Sequence, residues 1–200
     1  TFLAEVAETT GCVTIGGLVT EQANGRGRNE SLVVAPDGSH LARYQKIRTF
    51  TYTGESDHYD RGADLAMFKW QGWQVCPLIC YDLRFPALYD ALGRAKCDAI
   101  AIPAAFTVPT GEAHWHVMVR ARAIEASAWV IAAAQVGEHE DGRRTCGHSL
   151  VVDPWGRVVL DMGGEGPGLA FAEIDQATTD EARAQVPSLA NRRTIPTSTP

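Results

Sequence analysis

Pro77-Leu78-Ile79-Cys80-Tyr81-Asp82-Leu83-Arg84-Phe85-Pro86 joins the end of an apolar run to a helix-like segment. Residues 73–80 predict a buried strand, and residues 86–95 predict a helix. A cysteine at such a strand end projects from a rigid element, and N–H groups of the following turn can face an oxyanion. We therefore interpret Cys80 as a candidate nucleophile. The alternative is one more buried cysteine that packs as a small hydrophobe.

The pattern alternates on the C-terminal side of this segment. Residues 98–103 and 129–135 predict strands, and residues 112–127 predict the helix between them. Such alternation is typical of an α/β layered fold. The other predicted elements are a helix at 1–10, a strand at 12–15 closed by Gly16-Gly17, a hairpin of 29–35 with 41–46, a surface loop at 47–65, a hairpin of 149–153 with 157–161, a strand at 169–174 and a helix at 176–186.

The bulk composition restricts the function classes. Two hundred residues with 45% hydrophobic content suffice for one domain, which we place at 1–194 with a frayed tail at 195–200. Eighteen Lys and Arg against 24 Asp and Glu give a net charge of -6, which disfavours a nucleic-acid partner. The apolar stretches are far too short for a membrane span, and no leader pattern is seen. The expected location is the cytoplasm.

The cysteines disfavour a metal centre. Their number, five, is odd, and no CxxC pair or Cys/His cluster stands at metal-ligand spacing. We expect a reduced protein without structural zinc or any other metal, and no motif predicts an organic cofactor. Four of the cysteines are expected to be inert: Cys12, Cys76, Cys97 and Cys146.

Two charged residues upstream could join Cys80 in a site. Arg43-Tyr44-Gln45-Lys46 places a lysine at a strand end, and Gly54-Glu55-Ser56 sets a carboxylate in the loop that follows. In such a site a base takes the thiol proton and the ammonium stabilises developing negative charge. Taken singly, a loop lysine or glutamate is usually a solvated charge.

These residues, in this order, resemble the lysine, second-glutamate and nucleophile motifs of the nitrilase superfamily of carbon–nitrogen hydrolases. The resemblance covers nearly the whole chain. It continues through Pro103-Ala104-Ala105-Phe106-Thr107, Thr110-Gly111-Glu112-Ala113-His114-Trp115, Arg120-Ala121-Arg122-Ala123-Ile124-Glu125, Gly147-His148-Ser149 and Val152-Asp153-Pro154-Trp155-Gly156.

The resemblance implies a four-layer α-β-β-α sandwich, assembled as a homodimer or larger homo-oligomer. It also implies a Glu-Lys-Cys triad. Cys80 would be the nucleophile, and Lys46 the cation beside the oxyanion. The backbone N–H of Tyr81 would be the second oxyanion donor, and Glu55 an additional carboxylate that orients Lys46.

The resemblance further implies a general-base glutamate at the end of an early strand, in a Pro-Glu motif upstream of the helix at 1–10. None of Glu5, Glu8 and Glu21 stands in that context. The expectation is therefore a chain truncated at its N-terminus, without one strand, one helix and the base, and with severely impaired activity.

Residues 107–168 most resemble amidases that repair deaminated glutathione, and Gly54-Glu55-Ser56-Asp57-His58-Tyr59 resembles that segment of bacterial ω-amidases. The implied reaction releases ammonia from the terminal amide of a small carboxylate-bearing linear amide, with water as the second reactant. Arg84 is the candidate to bind the substrate carboxylate, and a structural pair with Asp82 or another acid is the equal alternative. The pocket is expected to include three more residues, Phe106, Thr107 and His114, although a lone histidine at a helix start is more often structural.

The helix at 112–127 is expected to contribute core and ion pairs rather than chemistry. Its apolar residues Trp115, Met118 and Ile124 predict burial. Arg120, Arg122 and Glu125 predict a buried or interfacial ion pair.

Three other functions stay open. Cys80 could pair with His114 or His148 as a papain-like hydrolase, in which Lys46 would be dispensable. The chain could be a non-catalytic family member or fragment that acts through a protein partner. It could also hydrolyse a different amide, such as an N-carbamoyl compound.

Overall fold

The computed structural model describes residues 2–193. Its helices are α1 (Phe2–Thr10), α2 (Glu55–His58), α3 (Pro86–Arg94), α4 (Val108–Ala126) and α5 (Gln176–Gln185), and two short 3-10 helices cover Thr51–Thr53 and Cys80–Arg84. Its strands are β1 (Thr14–Glu21), β2 (Gly27–Val34), β3 (His40–Gln45), β4 (Tyr59–Asp60), β5 (Phe68–Trp70), β6 (Trp73–Pro77), β7 (Ala99–Ala101), β8 (Trp129–Ala132), β9 (Val136–Glu138), β10 (Arg144–Cys146), β11 (Leu150–Val152) and β12 (Val158–Asp161).

Two larger sheets and their outer helices form an α-β-β-α sandwich, which confirms the predicted fold class. One sheet has the strand order β12-β11-β8-β7-β6-β5, with β6, β7 and β8 parallel. Apolar side chains of its inner strands pack with α3 and α4 in the main core. The other sheet has the order β1-β2-β3, with β4 beside β2, and α1 packs on it through Ala7.

The N-terminal sheet confirms the predicted hairpin and corrects one strand. Strands β2 and β3 pair antiparallel around the Pro36-Asp37-Gly38 turn. Strand β1, predicted to stop at Gly16-Gly17, instead continues through both glycines. The reason is close packing, because a Cβ added at Gly16 would lie 2.7 Å from Cδ2 of Leu3 on α1. Gly16 therefore allows helix α1 to pack closely on β1, and it does not end the strand.

The central half of the chain confirms the predicted alternation, with shifted boundaries. The strand predicted to reach residue 80 ends at Pro77, although Leu78 and Cys80 still donate backbone hydrogen bonds to Ala101 and Pro103. Helix α4 begins at Val108, four residues before the predicted start, because Pro109 fits its first turn.

The larger errors lie at residues 47–70 and in the last third of the chain. Residues 169–174 form no strand, and Leu169 and Phe171 are exposed there. The short strands β5, β9 and β10 were not predicted, and the loop at 47–65 holds a 3-10 turn, α2 and β4. The predicted tail at 195–200 lies outside the described residues. Within residues 2–193, no helix has the length and apolar character required to cross a bilayer.

Helix α4 meets its expectations in part. Trp115 is fully buried and Met118 partly buried, but the prediction for Ile124 is wrong, because 49% of it is exposed. Its side chain covers the Gly156 turn, where an added Cβ would lie 2.6 Å from Cδ1 of Ile124. Arg122 forms the predicted ion pair with Glu125 at 2.7 Å, whereas Arg120 donates to the carbonyl of Gly156.

Candidate active site

Cys80 occupies a strained turn at the carboxyl ends of the parallel strands. Its φ of 44° lies in the left-handed region, which a non-glycine residue enters at a cost of about 1–3 kcal/mol. Its N–H donates to the carbonyl of Pro103 at 2.9 Å, so the turn is tied to the strand beside it. Such strain persists where the surrounding structure fixes the backbone.

A buried polar clamp holds this turn against the segment that carries Lys46. Asp82 accepts hydrogen bonds from the hydroxyl of Tyr44 at 2.7 Å, from the N–H of Ile79 at 3.0 Å and from the N–H of Arg48 at 3.0 Å. Tyr44 and Asp82 are both fully buried. The clamp therefore fixes the turn at Cys80 and the end of β3 relative to each other.

Replacing Tyr44 by phenylalanine should lower the free energy of unfolding by about 2 kcal/mol, because a buried hydrogen bond to a carboxylate is lost. The matched control is Tyr89→Phe. The Tyr89 hydroxyl is also buried but has no hydrogen-bond partner within residues 2–193, so its removal should change stability by less than about 0.5 kcal/mol. Urea unfolding of both variants tests this, and equal losses would contradict the clamp.

Lys46 and Glu55 form a buried ion pair. The Lys46 Nζ donates to Oε1 and Oε2 of Glu55 at 2.8 and 2.7 Å, and only 5% and 10% of the two side chains are exposed. Glu55 also accepts from the Asn29 side chain at 2.8 Å and from the N–H of Phe50. Burial acts to raise the pKa of Glu55, but these hydrogen bonds and the Lys46 charge outweigh it and hold the pKa below its ordinary value. Glu55 is thus fixed as an anion that orients Lys46.

Replacing Glu55 by glutamine should cost about 3 kcal/mol of stability at neutral pH, because one carboxylate oxygen becomes an N–H group facing donors. Since the folded-state pKa of Glu55 is depressed, its contribution is present above the ordinary value of 4.5 and is lost as pH falls below it. The stability gap between the unaltered protein and the variant should therefore shrink on acidification. Urea unfolding at about pH 7 and about pH 3 measures the gap. The exposed Glu165→Gln is the control, and a pH-independent gap would refute the assignment.

The Cys80 thiol is not activated by its surroundings alone. Burial raises its pKa; the N–H of Ala105 and the charge of Lys46 act to lower it, and the charges of Glu55 and Asp82 raise it further. The net shift is upward, so the sulfur is a neutral thiol at neutral pH. Nucleophilic attack by this cysteine requires a base that takes the proton.

Cys80, Lys46 and Glu55 line one cavity of about 760 Å³. Small side chains at the strand ends, Ala104, Ala105, Ala133 and Ala134, leave this space open. The polar lining also includes Asn29, His58, Thr107, Gln135, Arg143 and Ser149. The structure thus brings together the cysteine, the lysine and the carboxylate that the sequence selected, with Thr107 as one predicted pocket residue.

Several polar lining residues had no assigned role in the sequence. Asn29 is on β2 and becomes recognisable only through its bond to Glu55. Ser149 stands in a quoted motif, and its Oγ accepts from the N–H of Ala134 at 2.9 Å and donates to the Ala134 carbonyl at 3.4 Å. Gln135 and Arg143 lie in no motif that was recognised in the sequence. The pairing of β9 with β10, which these two residues precede, was not predicted either.

The backbone N–H of Tyr81 stays a predicted oxyanion donor, and Tyr81 is not among the residues that line the described cavity of Cys80. In the described part of the chain, no acceptor for this N–H is seen. Its ring packs between Phe50 and Phe85, with centroid separations of 4.8 and 5.2 Å. An unpaired N–H next to the nucleophile is available to a developing oxyanion.

The other predicted pocket residues lie elsewhere. Arg84 stacks over Phe106 at 5.0 Å and approaches Nδ1 of His114 at 3.3 Å, and none of these three is among the residues that line the described cavity. The structural alternative, a pair between Arg84 and Asp82, is not seen either, since Asp82 is occupied by the clamp. A role for Arg84, Phe106 and His114 in substrate binding stays a prediction without support from this cavity.

The histidines of the papain-like alternative are also elsewhere. His114 contacts Arg84, and His148 bonds to Asp161 at 2.9 Å. Neither lines the described cavity that contains Cys80. The histidine that does line it, His58, is exposed.

Comparison with known proteins gives one concordant picture. The family model for carbon-nitrogen hydrolases matches residues 1–184. The deaminated glutathione amidase of Synechocystis sp. is 40% identical over 181 residues, which are 84% of this chain and 65% of that protein. The protein of the same name from Yersinia enterocolitica is 38% identical, over 85% of this chain and 62% of its own length. The chain thus spans less than two thirds of these relatives.

The fold has close counterparts among solved structures. Nit3 of Saccharomyces cerevisiae, a member of branch 10 of the nitrilase superfamily, superposes with a TM-score of 0.86 and 27% identity. The superposition covers 93% of this chain and 68% of Nit3.

Proposed function

Because this chain belongs to the carbon–nitrogen hydrolase family of the nitrilase superfamily, we propose that it hydrolyses the terminal amide of a small carboxylate-bearing linear amide through a thioester on Cys80. The observation that carries the proposal is the convergence of Cys80, Lys46 and Glu55 on one cavity. The names of the relatives support deaminated glutathione as a substrate. The α-ketoglutaramate type is the second substrate in the same class.

In the proposed first half-reaction, a base removes the Sγ proton of Cys80 and the thiolate adds to the amide carbon. A C–S bond forms, and the carbonyl π electrons move to oxygen. The Lys46 ammonium and the Tyr81 N–H stabilise that oxyanion. Its collapse breaks the C–N bond, and the base returns its proton to nitrogen, which leaves as ammonia.

In the second half-reaction, the same base deprotonates a water molecule that adds to the thioester carbon. The C–S bond then breaks, which releases the carboxylic acid and restores the Cys80 thiol. Every step uses side-chain and backbone groups and needs only water as co-reactant. The base must exchange a proton twice per turnover, so its pKa has to lie near the working pH.

Glu55 is a poor candidate for that base. It is the only carboxylate among the described residues that line the cavity, and its pKa is held below the ordinary value by Lys46, Asn29 and the Phe50 N–H. We propose that a glutamate outside residues 2–193 supplies the base, as the resemblance implies. The greater length of the relatives supports this proposal.

The substrate carboxylate is proposed to bind Arg143 rather than Arg84. Arg143 lines the cavity, and its guanidinium is mostly exposed beside Asp141. Arg84 faces the ring of Phe106 and the Met118 sulfur instead. Loss of the carboxylate contact should raise KM by about 10-fold or more, because charge-assisted hydrogen bonds contribute about 1.5–3 kcal/mol.

The testing experiment measures ammonia release from deaminated glutathione, from α-ketoglutaramate and from a monoamide of similar length without a carboxylate. The 200-residue chain is compared with a version that carries the N-terminal segment in which the resemblance places the base. The extended version should be faster by at least about 100-fold, the contribution of general-base catalysis. Arg143→Ala should raise KM for the two carboxylate substrates alone, and the same effect in Arg84→Ala instead would move the carboxylate site to Arg84.

A non-catalytic role is the second candidate. The neutral Cys80 thiol and the lack of a second carboxylate among the described lining residues favour it. It predicts no ammonia from either version, and alkylation of Cys80 no faster than that of the exposed Cys12. Faster turnover by the extended version would exclude it.

Assembly and location form part of the proposal. The resemblance implies a homodimer or larger homo-oligomer, and several apolar side chains are exposed, among them Val117, Val159 and Phe171. A single-chain mass in sedimentation equilibrium would contradict this assembly.

A cytoplasmic location is supported by five cysteines that are all free thiols. Fractionation of the source cells would overturn it by finding the protein outside the cytoplasm.

A further inference from the structure

Three side chains far apart in sequence meet on a surface away from Cys80. His116 on α4 has its Nε2 2.8 Å from Oδ2 of Asp161, the last residue of β12. His148, in the loop between β10 and β11, has its Nδ1 2.9 Å from Oδ1 of the same carboxylate. Their possible ligand atoms all lie within 4.8 Å of one another. None of the three lines the described cavity of Cys80.

Two imidazoles and one carboxylate match a known ligand set. Zinc and related transition-metal ions bind imidazole nitrogen at about 2.0–2.1 Å and carboxylate oxygen at about 2.0–2.2 Å, with tetrahedral geometry in zinc sites. Ligand atoms around one such ion are therefore about 3.3 Å apart, close to the separations of the nitrogens from Asp161. Small rotations of the three side chains would admit the ion.

The backbone fixes two of these side chains in advance. His148 has a φ of 57°, donates its N–H to the carbonyl of Gly163 at 2.7 Å, and accepts from the Trp115 indole at 2.7 Å. Asp161 accepts from the N–H of Gly163 at 2.9 Å. The backbone bonds hold His148 in place, and a hydrogen bond to a carboxylate of this kind helps to orient that carboxylate as a metal ligand.

The exposure of the cluster suits an ion. About a third of each side chain is exposed, so an ion can enter and keep water on its remaining positions.

From this geometry we propose that His116, His148 and Asp161 bind one zinc-like divalent transition-metal ion. His116 coordinates through Nε2 and keeps its proton on Nδ1, and His148 coordinates through Nδ1 and keeps its proton on Nε2. The carboxylate supplies the third ligand, and water completes the tetrahedron. The site revises the expectation of a protein without metal.

The ion would tie α4 to the β11–β12 hairpin next to the substrate cavity. Ser149, which follows His148, lines both that cavity and a second one of about 410 Å³ bordered by His148. The role that fits is stabilisation of the part of the cavity lining that contains Ser149. The metal ion takes no part in the proposed thioester chemistry. The metal-site proposal stands whether or not the thioester proposal holds.

The test titrates the 200-residue chain, freed of metal by a chelator, with Zn²⁺ and with Co²⁺. Zn²⁺ at about a hundredfold excess over its dissociation constant should raise Tm by roughly 5–10 °C. One equivalent of Co²⁺ should give the visible absorption of a tetrahedral site, without the near-ultraviolet band of thiolate ligation. Absence of both changes would overturn the proposal.

Matched variants locate the binding. His116→Gln keeps a side-chain donor for Asp161, and His148→Asn tolerates the left-handed backbone, so both should keep the metal-free Tm near that of the unaltered chain. Each should abolish the Zn²⁺-induced rise in Tm. His40→Gln, which changes an exposed histidine, and Cys80→Ala should retain it. A rise that survives His116→Gln, or that is lost in Cys80→Ala, would place the metal elsewhere and overturn the proposal.

Discussion

Replacement of Cys80 by alanine is expected to lower kcat for amide hydrolysis by at least about 10⁴-fold, in the form of the protein that releases ammonia fastest. The Cys80 sulfur is the only protein atom that bonds to substrate carbon in the proposed reaction. Without it, the groups around the oxyanion and the binding contacts can leave only residual catalysis. Ammonia release under saturating substrate measures the loss.

The control separates the nucleophile from the other thiols. Cys12→Ala removes an exposed cysteine and should leave kcat unchanged. Cys80→Ala should keep its Tm within a few degrees, because only one sulfur atom is lost from the turn. Turnover by Cys80→Ala at more than about a tenth of the normal rate would show that the reaction does not use this thiol.

Replacement of Lys46 by methionine is expected to reduce kcat by about 10³-fold, the upper range for one oxyanion-stabilising group. Methionine keeps the length and removes the charge. The variant also leaves the carboxylate of Glu55 buried without its cation, which should lower the free energy of unfolding by about 3 kcal/mol. Steady-state kinetics and urea unfolding test the two effects together.

Lys69→Met is the control for Lys46→Met, since Lys69 is exposed on β5 and should tolerate the change. Lys46→Arg should fail to restore kcat, because the planar guanidinium cannot occupy the position of a compact ammonium. A fully active Lys46→Met together with an inactive His114→Ala or His148→Ala would favour the papain-like alternative instead.

The three residues of the proposed site could be selected from the sequence because each lies in its own local motif. Cys80 follows an apolar strand, Lys46 follows the second strand of a hairpin, and Glu55 follows a glycine in the loop beyond it. Their convergence depends on the Tyr44–Asp82 clamp, a contact across 38 residues that local patterns do not encode. The sequence supplied the residue types, and long-range packing supplied the distances.

The polar residues that line the cavity around Cys80 were harder to predict. Arg84 is four positions beyond Cys80, but the 3-10 turn carries it to the Phe106 ring, away from the cavity. Arg143 reaches the cavity through the short pair β9–β10, whose three-residue strands are too brief for an alternating pattern. Closeness to Cys80 in the sequence therefore did not identify the residues that line this part of the cavity.

The ligands of the proposed metal site could also not be predicted from their spacing in the sequence. His116, His148 and Asp161 are separated by 32 and 13 positions, and no short motif contains two of them. Their meeting requires α4 to pack against the β11–β12 hairpin. The prediction of a strand at 169–174 was wrong, because Leu169 and Phe171 are exposed and do not pack into the core.

The most direct test of the thioester is mass spectrometry of the extended protein, quenched in acid during turnover of deaminated glutathione. We predict a peptide containing Cys80 whose mass is raised by the acyl group of the substrate, and no such adduct in Cys80→Ala. Ammonia release with the acyl group on another residue, or with no covalent adduct at any quench time, would contradict the account.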